Sequence, residues 1–247
     1  MEISRRIFIT GSSDGLGQLA AISLIKQGHK VVLHARNKGR GDHALARAPG
    51  AEAVVTGDLF NIKETIKVAE QVNDLGSFDA VIHNAGVYQS PAKEIFTVNT
   101  LAPYILTCLI KKPARLIYLS SSSHLSGKIK FQNGKIDENK VTYSDSKLHD
   151  LMLSFAIARK WKDVYSNALD PGWVPTKMGG KGAPDDLQKG YETQVWLAVS
   201  NEAAAKVSGH YFYHKKPARY LKEGDDIDAQ EELMRICERV TGIAISL

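Results

Sequence analysis

"RIFITGSSDGLG", residues 6–17, decides the fold. Its first half is a short, nearly continuous apolar run, the pattern of a strand buried on both faces rather than one alternating apolar with polar. Its second half places Gly11, Gly15 and Gly17 in a tight turn that opens into Leu16–Gln27, where apolar residues recur at helical spacing. Glycines in such a turn let the backbone come close to a pyrophosphate, and the following helix turns its N-terminal amides and the positive end of its dipole toward that charge. The spacing is Gly-x-x-x-Gly-x-Gly, not Gly-x-Gly-x-x-Gly. A glycine-rich turn can also be mere punctuation between two elements; its place after the first strand of a β-α-β unit favours a nucleotide.

Working outward, apolar runs of the same kind recur at "KVVLHA" (30–35), "EAVV" (52–55), "DAVIH" (79–83), "RLIYLS" (115–120) and "VYSNAL" (164–169). Between them Ile62–Leu75, Glu94–Ile110 and Ser144–Trp161 carry helical spacing. This rhythm predicts an α/β fold, a doubly wound parallel sheet with helices on both faces joined by right-handed crossovers. Later, "PGWVPTKMGGKGAP" (171–184) is too rich in Gly and Pro for a regular element. A helix over Asp185–Ser200, a strand in "GHYFYH" (209–214) and a last helix around Asp226–Val240 follow it. No repeat, low-complexity tract or linker divides the chain, so residues 1–247 are expected to form one domain.

Composition narrows the function. The chain has 247 residues, 43% of them apolar, enough for a substantial core. Its net charge of +5 is spread over short clusters at Lys38–Arg40, Lys111–Lys112 and Lys215–Lys216, which read as solvated faces and not as a nucleic-acid surface. Cys108 and Cys237, the only cysteines, fit a reducing compartment and have no metal-ligand spacing. The N-terminal stretch "MEISRRIFIT" lacks the form of an export signal and no run is long enough to span a membrane, so a cytoplasmic protein is expected.

Nineteen residues after Gly17, where a carboxylate would hold an adenosine ribose 2′-hydroxyl, stands Arg36, followed by Asn37, Lys38 and Arg40. A guanidinium grips a 2′-phosphate through forked, charge-assisted hydrogen bonds, so NADP(H) is favoured with NAD(H) as its rival. The bland alternative is a surface arginine in a basic loop. Asp58 in "GDLF" (57–60) has two readings, a hydrogen bond to adenine or a cap for the next helix.

Six stretches now agree in type and order, and nearly the whole chain resembles the short-chain dehydrogenase/reductase family. "TGSSDGLG" (10–17) is similar to that family's cofactor turn, "HNAG" (83–86) to its Asn-Asn-Ala-Gly segment and "VNT" (98–100) to the segment carrying its asparagine. "YLSSSS" (118–123) is similar to the strand ending in its serine, "YSDSK" (143–147) to its Tyr-x-x-x-Lys motif and "DPGWVPT" (170–176) to its Pro-Gly loop over the nicotinamide. The resemblance implies an oxidoreductase acting on CH–OH and C=O groups, with Tyr143, Lys147, Ser121 and Asn99 catalytic. It implies cofactor contacts from Gly11, Ser13, Gly15, Leu16, Gly17, Arg36, Asp58, Leu59, Asn84, Ala85, Gly86, Tyr143, Lys147, Pro171, Gly172, Val174 and Thr176.

Chemistry gives the motif a reason. Reducing a carbonyl needs a proton donor beside the growing alkoxide, and a phenol can act there if a neighbouring ammonium favours its phenolate; Lys147 lies one helical turn from Tyr143. By resemblance the lysine also holds the nicotinamide ribose, Ser121 donates to the substrate oxygen, and Asn99 bends its helix and holds a water leading from Lys147 to solvent. Ser122 is the alternative to Ser121 within the serine run 120–123.

Two departures stand out. His83 replaces the first asparagine of Asn-Asn-Ala-Gly and is given no proton-transfer role. The stretch between Ser121 and Tyr143 exceeds the family's common spacing, which, with "CERVTG" (237–242), resembles the retinol-dehydrogenase-like branch. Substrate contacts are expected in segments 122–142 and 171–190, where Leu125, Phe131, Trp173 and Met178 offer apolar surface, or pack against one another. An apolar or aromatic aldehyde or ketone fits that surface. Other readings are a non-catalytic NADP(H)-binding sensor, which would not need the acid–base set, and a nucleotide-sugar epimerase or dehydratase, for which the C-terminal part is short. Pairing into a homodimer or homotetramer through the helices bearing Asn99 and Tyr143 is common in the family.

Overall fold

The computed structural model describes residues 4–132 and 134–246. Residues 1–3, 133 and 247, which include the start of the N-terminal stretch and one position of the inserted segment, lie outside the described residues. Strand β1 (Arg6–Ile9) begins the chain's central sheet, and its side chains explain its position: Ile7, Phe8 and Ile9 are all fully buried. Ile7 and Ile9 enter the core on one face of the sheet, while Phe8 enters the core on the other. Only a strand covered on both sides has nowhere to place a polar residue.

Strands β2 (Lys30–Ala35), β4 (Ala80–His83) and β5 (Arg115–Leu119) are likewise buried over nearly their whole length, β8 (Tyr165–Asp170) buries Ser166, Asn167 and Asp170 beside its apolar residues, and the edge strand β3 (Ala53–Thr56) buries only Val55. With β9 (Tyr211–Tyr213) they form a parallel array in the order β9-β8-β5-β4-β1-β2-β3, and β10 (Lys216–Pro217) pairs antiparallel with β9 at one edge. The order reverses between β1 and β4, so the chain leaves those neighbouring strands in opposite lateral directions and a crevice opens above their carboxyl ends. Helices α1 (Gly15–Lys26) and α7 (Leu187–Val199) pack together on one face; α3 (Ile62–Asp74), α6 (Tyr143–Lys160) and α8 (Ile227–Thr241) cover the other.

Three elements differ from the expectation. Lys38–Arg47 forms a helix, α2, although it holds two glycines and many charges. The Asn37 side chain caps it by accepting from the Arg40 N–H, and Gly41 lets it lie against β3, where a Cβ would meet Thr56 Cγ2 at 3.3 Å. The helix expected over 94–110 is broken into α4 (Ala92–Phe96), a π turn (Thr97–Leu101) and α5 (Ala102–Leu109). The inserted segment contains a small hairpin, β6 (Phe131–Gln132) with β7 (Lys135–Ile136).

On the far side of the sheet, α8 and the residues after it close over α5 and α6. Tyr104 donates to the Ile243 carbonyl at 2.7 Å, Trp161 Nε1 donates to the Ser246 carbonyl at 2.9 Å, and Arg159 and Lys160 both pair with Glu231. Among the described residues no helix is long and apolar enough to cross a membrane.

Candidate active site and cofactor cleft

Above the carboxyl ends of β1, β2, β4 and β5 lies a cleft of about 420 Å³. Its wall begins with Gly11, Ser13, Gly15 and Leu16. Gly11 and Gly15 have φ of 62° and 56°, the left-handed region that favours glycine. A Cβ on Gly11 would also sit 2.9 Å from Ala85 Cα, and one on Gly17 would fall 2.3 Å from Asn84 Nδ2. Gly17 is therefore a packing glycine that lets α1 meet the β4 end, while a Cβ on Gly15 would meet only Thr176 Cγ2, at 4.0 Å.

The turn is held from beneath by a residue that the sequence reading passed over. His34 is buried in β2; its Nδ1 accepts from the Gly11 N–H at 3.0 Å and its Nε2 donates to the Gly57 carbonyl at 3.0 Å. Burial pushes its pKa down to about 4, so the ring is neutral with its proton on Nε2. Ser12 Oγ completes the brace, accepting from the His34 N–H and donating to the Ile9 carbonyl. Only a hydrogen-bonding residue inside an otherwise apolar run hinted at this role.

At one end of the cleft stand Arg36 and Arg40 with Asp58 and Leu59. Arg40 reaches Ser13 Oγ at 3.4 Å and lies 3.8 Å from Asp14, the cap of α1. Asp58 accepts from the Phe60 N–H, and Asn61, not Asp58, caps α3. Asp14 also pairs with Lys177, which ties the loop after β8 back to the start of α1; the Lys177 hydrogen bond holds the Asp14 carboxyl below its ordinary value. From that loop Pro171, Thr176, Lys177 and Met178 line the cleft. Gly172 and Val174 lie outside it: Gly172, at φ 82°, turns the chain tightly against Asp185, and Val174 is buried against Gly190.

The other end carries Asn84, Ala85, Gly86, Tyr143 and Lys147. Asn84 Nδ2 donates to the Thr10 carbonyl at 2.9 Å, locking the β4 end to the β1 end. Helix α6 starts at Tyr143 because Thr142 and Asp145 form a reciprocal capping box. One turn on, Lys147 is buried, its Nζ 5.6 Å from the centre of the Tyr143 ring and donating to the Leu119 carbonyl and to Asp150, each at 2.8 Å. Burial works against the Lys147 charge, but Asp150 and Tyr143 raise its pKa above the ordinary value. Tyr88, an exposed residue, meets the Tyr143 ring edge-on at 4.9 Å.

Asn99 lies behind this wall in the π turn, fully buried. Its Oδ1 accepts from the Val87 N–H at 2.8 Å, and its two amide hydrogens go to the Val87 carbonyl and Ser146 Oγ, both at 3.0 Å. The side chain is thus a clamp between the β4 loop and α6, and its amide hydrogens are not free to hold a water. Ser121 is half-buried beside Ser123, while Ser122 is exposed with its N–H on Asp170. Ser120 points inward and donates to the Lys147 carbonyl at 2.7 Å. His124, also unassigned from sequence, bonds the Ser121 carbonyl through Nδ1 at 2.5 Å and accepts from the Leu221 N–H.

His83 lies in the core, sharing a 3.0 Å hydrogen bond with Thr107 and tilted against Tyr118. Of the four apolar residues expected near substrate, Met178 lines the cleft. Phe131 instead stacks on His149 at 6.0 Å, because the β6–β7 hairpin folds back on α6; Leu125 faces a separate groove with segment 219–226, and Trp173 is 60% exposed.

The short chain dehydrogenase family model matches residues 5–186. An uncharacterized oxidoreductase of Emericella nidulans is 46% identical over 97% of this chain and 98% of its own length. Retinol dehydrogenase 14 of Mus musculus is 27% identical over 97% of this chain and 86% of its own, in keeping with the retinol-dehydrogenase-like branch. The fold is shared with a short chain dehydrogenase from Shigella flexneri complexed with NADP, at a TM-score of 0.68 and 21% identity over 87% of this chain and 98% of that one. A glycine turn braced from below, a tyrosine and lysine one helical turn apart, and a sequence match over most of its length place this chain in the short-chain dehydrogenase/reductase family of oxidoreductases.

Proposed function

We propose that this oxidoreductase interconverts a carbonyl and an alcohol with NADP(H), using Tyr143 as the acid and base. The observation that carries this reading is that one cleft has Tyr143 and Lys147 at one end and Arg36 and Arg40 at the other. The residues fit a phosphorylated dinucleotide: positive-φ glycines leave the backbone open at the head of α1, and two guanidiniums line one end of the cleft, a donor set suited to a 2′-phosphate. The nicotinamide supplies or takes the hydride. In the reducing direction Tyr143 gives its hydroxyl proton to the oxygen that becomes the alcohol, and in the oxidising direction its phenolate takes that proton back. Lys147, its ammonium 5.6 Å from the ring centre, puts a positive charge beside the phenol and holds the cofactor's ribose. Ser121 donates to the substrate oxygen as its charge grows, and Asn99 keeps the β4 loop and α6 in register. Met178 on the cleft wall and Tyr88 against the Tyr143 ring favour an apolar or aromatic carbonyl compound.

The test is binding of NADPH and NADH to the purified protein, followed by cofactor oxidation with a panel of aldehydes, ketones and quinones. Tyr143→Phe should bind NADPH within about threefold of the parent and lose turnover by roughly 10²–10⁴-fold. Turnover that survives this substitution would remove Tyr143 from the reaction, and a protein that binds neither dinucleotide would overturn the reading as a whole.

A further inference from the structure

Lys147 has a partner that the reading of the site does not use. Asp150 lies one turn further along α6, 3% exposed, with Oδ2 at 2.8 Å from Lys147 Nζ. The lysine nitrogen has three hydrogens: one is given to the Leu119 carbonyl, one to Asp150, and the third is left for the cleft. Gly86 borders the nitrogen on the cleft side, where a Cβ would come into contact with Nζ at 3.5 Å. The pair is enclosed between α6 and β5, and Tyr143 of α6 and Tyr118 of β5 are the ionisable groups that interact with it.

We propose that Asp150 is a positioning residue for the reaction: its carboxylate keeps Lys147 protonated and turned toward Tyr143, and so sets the pH at which Tyr143 loses its proton. This rests on Tyr143 and Lys147 being the acid–base pair. An isolated ammonium in a dry site tends to shed its proton, because burial disfavours the charged form. The carboxylate at 2.8 Å opposes that tendency and fixes two of the three donor directions jointly with Leu119. The cost falls on the aspartate, whose pKa burial pushes up to about 6. Without the carboxylate Lys147 would be neutral over part of the working range, and Tyr143 would lose its nearby positive charge.

The experiment compares the parent with Asp150→Asn and Asp150→Ser, two neutral replacements of different size, and with Asp150→Glu, which retains the charge. Ionisation of Tyr143 is read without turnover, as the near-ultraviolet phenolate absorbance lost in a matching Tyr143→Phe background, beside the pH profile of alcohol oxidation. In both neutral variants the phenolate titration and the alkaline-rising limb should move to higher pH by about one unit or more, with at least a tenfold fall in kcat/KM at pH 7 that narrows as pH rises. Asp150→Glu should restore most of both. A titration that stays in place, or moves to lower pH, in a neutral variant that folds and binds NADPH overturns the role of Asp150. Failure of the acid–base reading itself looks different: Tyr143→Phe retains turnover, while the absorbance titration still reports whether Asp150 acts on the phenol.

Discussion

At the scale of single residues, charge and neutrality divide the site. Arg36 and Arg40 are the cleft's arginines, at the end away from Tyr143 and Lys147, and neither is required by packing, since both side chains reach the surface. Replacing both with alanine should weaken NADPH binding by roughly 10–100-fold, as expected for loss of charge-assisted hydrogen bonds worth about 1.5–3 kcal/mol each less solvent screening, and should leave NADH binding within about threefold. Equal losses for the two cofactors, read by fluorescence titration, would refute the 2′-phosphate assignment. The residues of this end were legible in the sequence because the absence of a carboxylate after β2 is a chemical statement by itself. His34, Asp150 and His124 were not. Nothing in the local pattern around each of them names its partner: Gly11, Lys147 and Leu221 are brought to them only once the chain has folded.

At the scale of elements, strands were easier to read than the segments beside them. A strand covered on both faces has an apolar run as its signature, whereas α2 owes its helix to the Asn37 cap and to close contact of Gly41 and Ala44 with the sheet, neither of which shows as periodicity. The break around Asn99 was legible only as a bend, since a π turn differs from an α turn by one residue and no pattern of apolar positions marks it. The inserted segment shows how an element can serve a site it does not line. Asp145 accepts from the Thr142 N–H at 2.8 Å, the Lys128 N–H at 2.9 Å and Lys130 Nζ at 2.7 Å, so one buried carboxylate fastens the insertion to the turn that presents Tyr143. Asp145→Ala should cost roughly 2–4 kcal/mol in urea unfolding, because two backbone N–H groups lose their acceptor and the helix loses its capping box. Limited proteolysis should find new cleavage between 128 and 142 in that variant; protection unchanged from the parent would mean that other contacts hold the segment.

At the scale of the whole molecule, the order of strands opens the crevice at the carboxyl ends of β1 and β4, beside the glycine turn, and the interior sets a limit on acid tolerance. His34, His83 and His149 are buried and neutral, with pKa values pushed by burial to about 4, about 3 and about 4 from an ordinary 6.5. Below the ordinary value the unfolded chain takes up protons that the folded one refuses, so stability falls as pH drops from about 6.5 toward 4, by about 1.4 kcal/mol per pH unit for each histidine. Asp150 acts in the opposite sense between about 6 and 3.8, where the folded state binds the extra proton. The urea midpoint should therefore decline steadily below pH 6.5, and His83→Gln should flatten that decline by about one proton; an unaltered slope would show that His83 is reached by water. The covering of α5 and α6 by α8 has a consequence of another kind. A helix contributed by a second molecule would leave on dilution, but one attached through the chain acts at an effective concentration fixed by its tether. The packing behind Asn99 and Lys147 is thus as complete in a single molecule at nanomolar concentration as in a crowded solution.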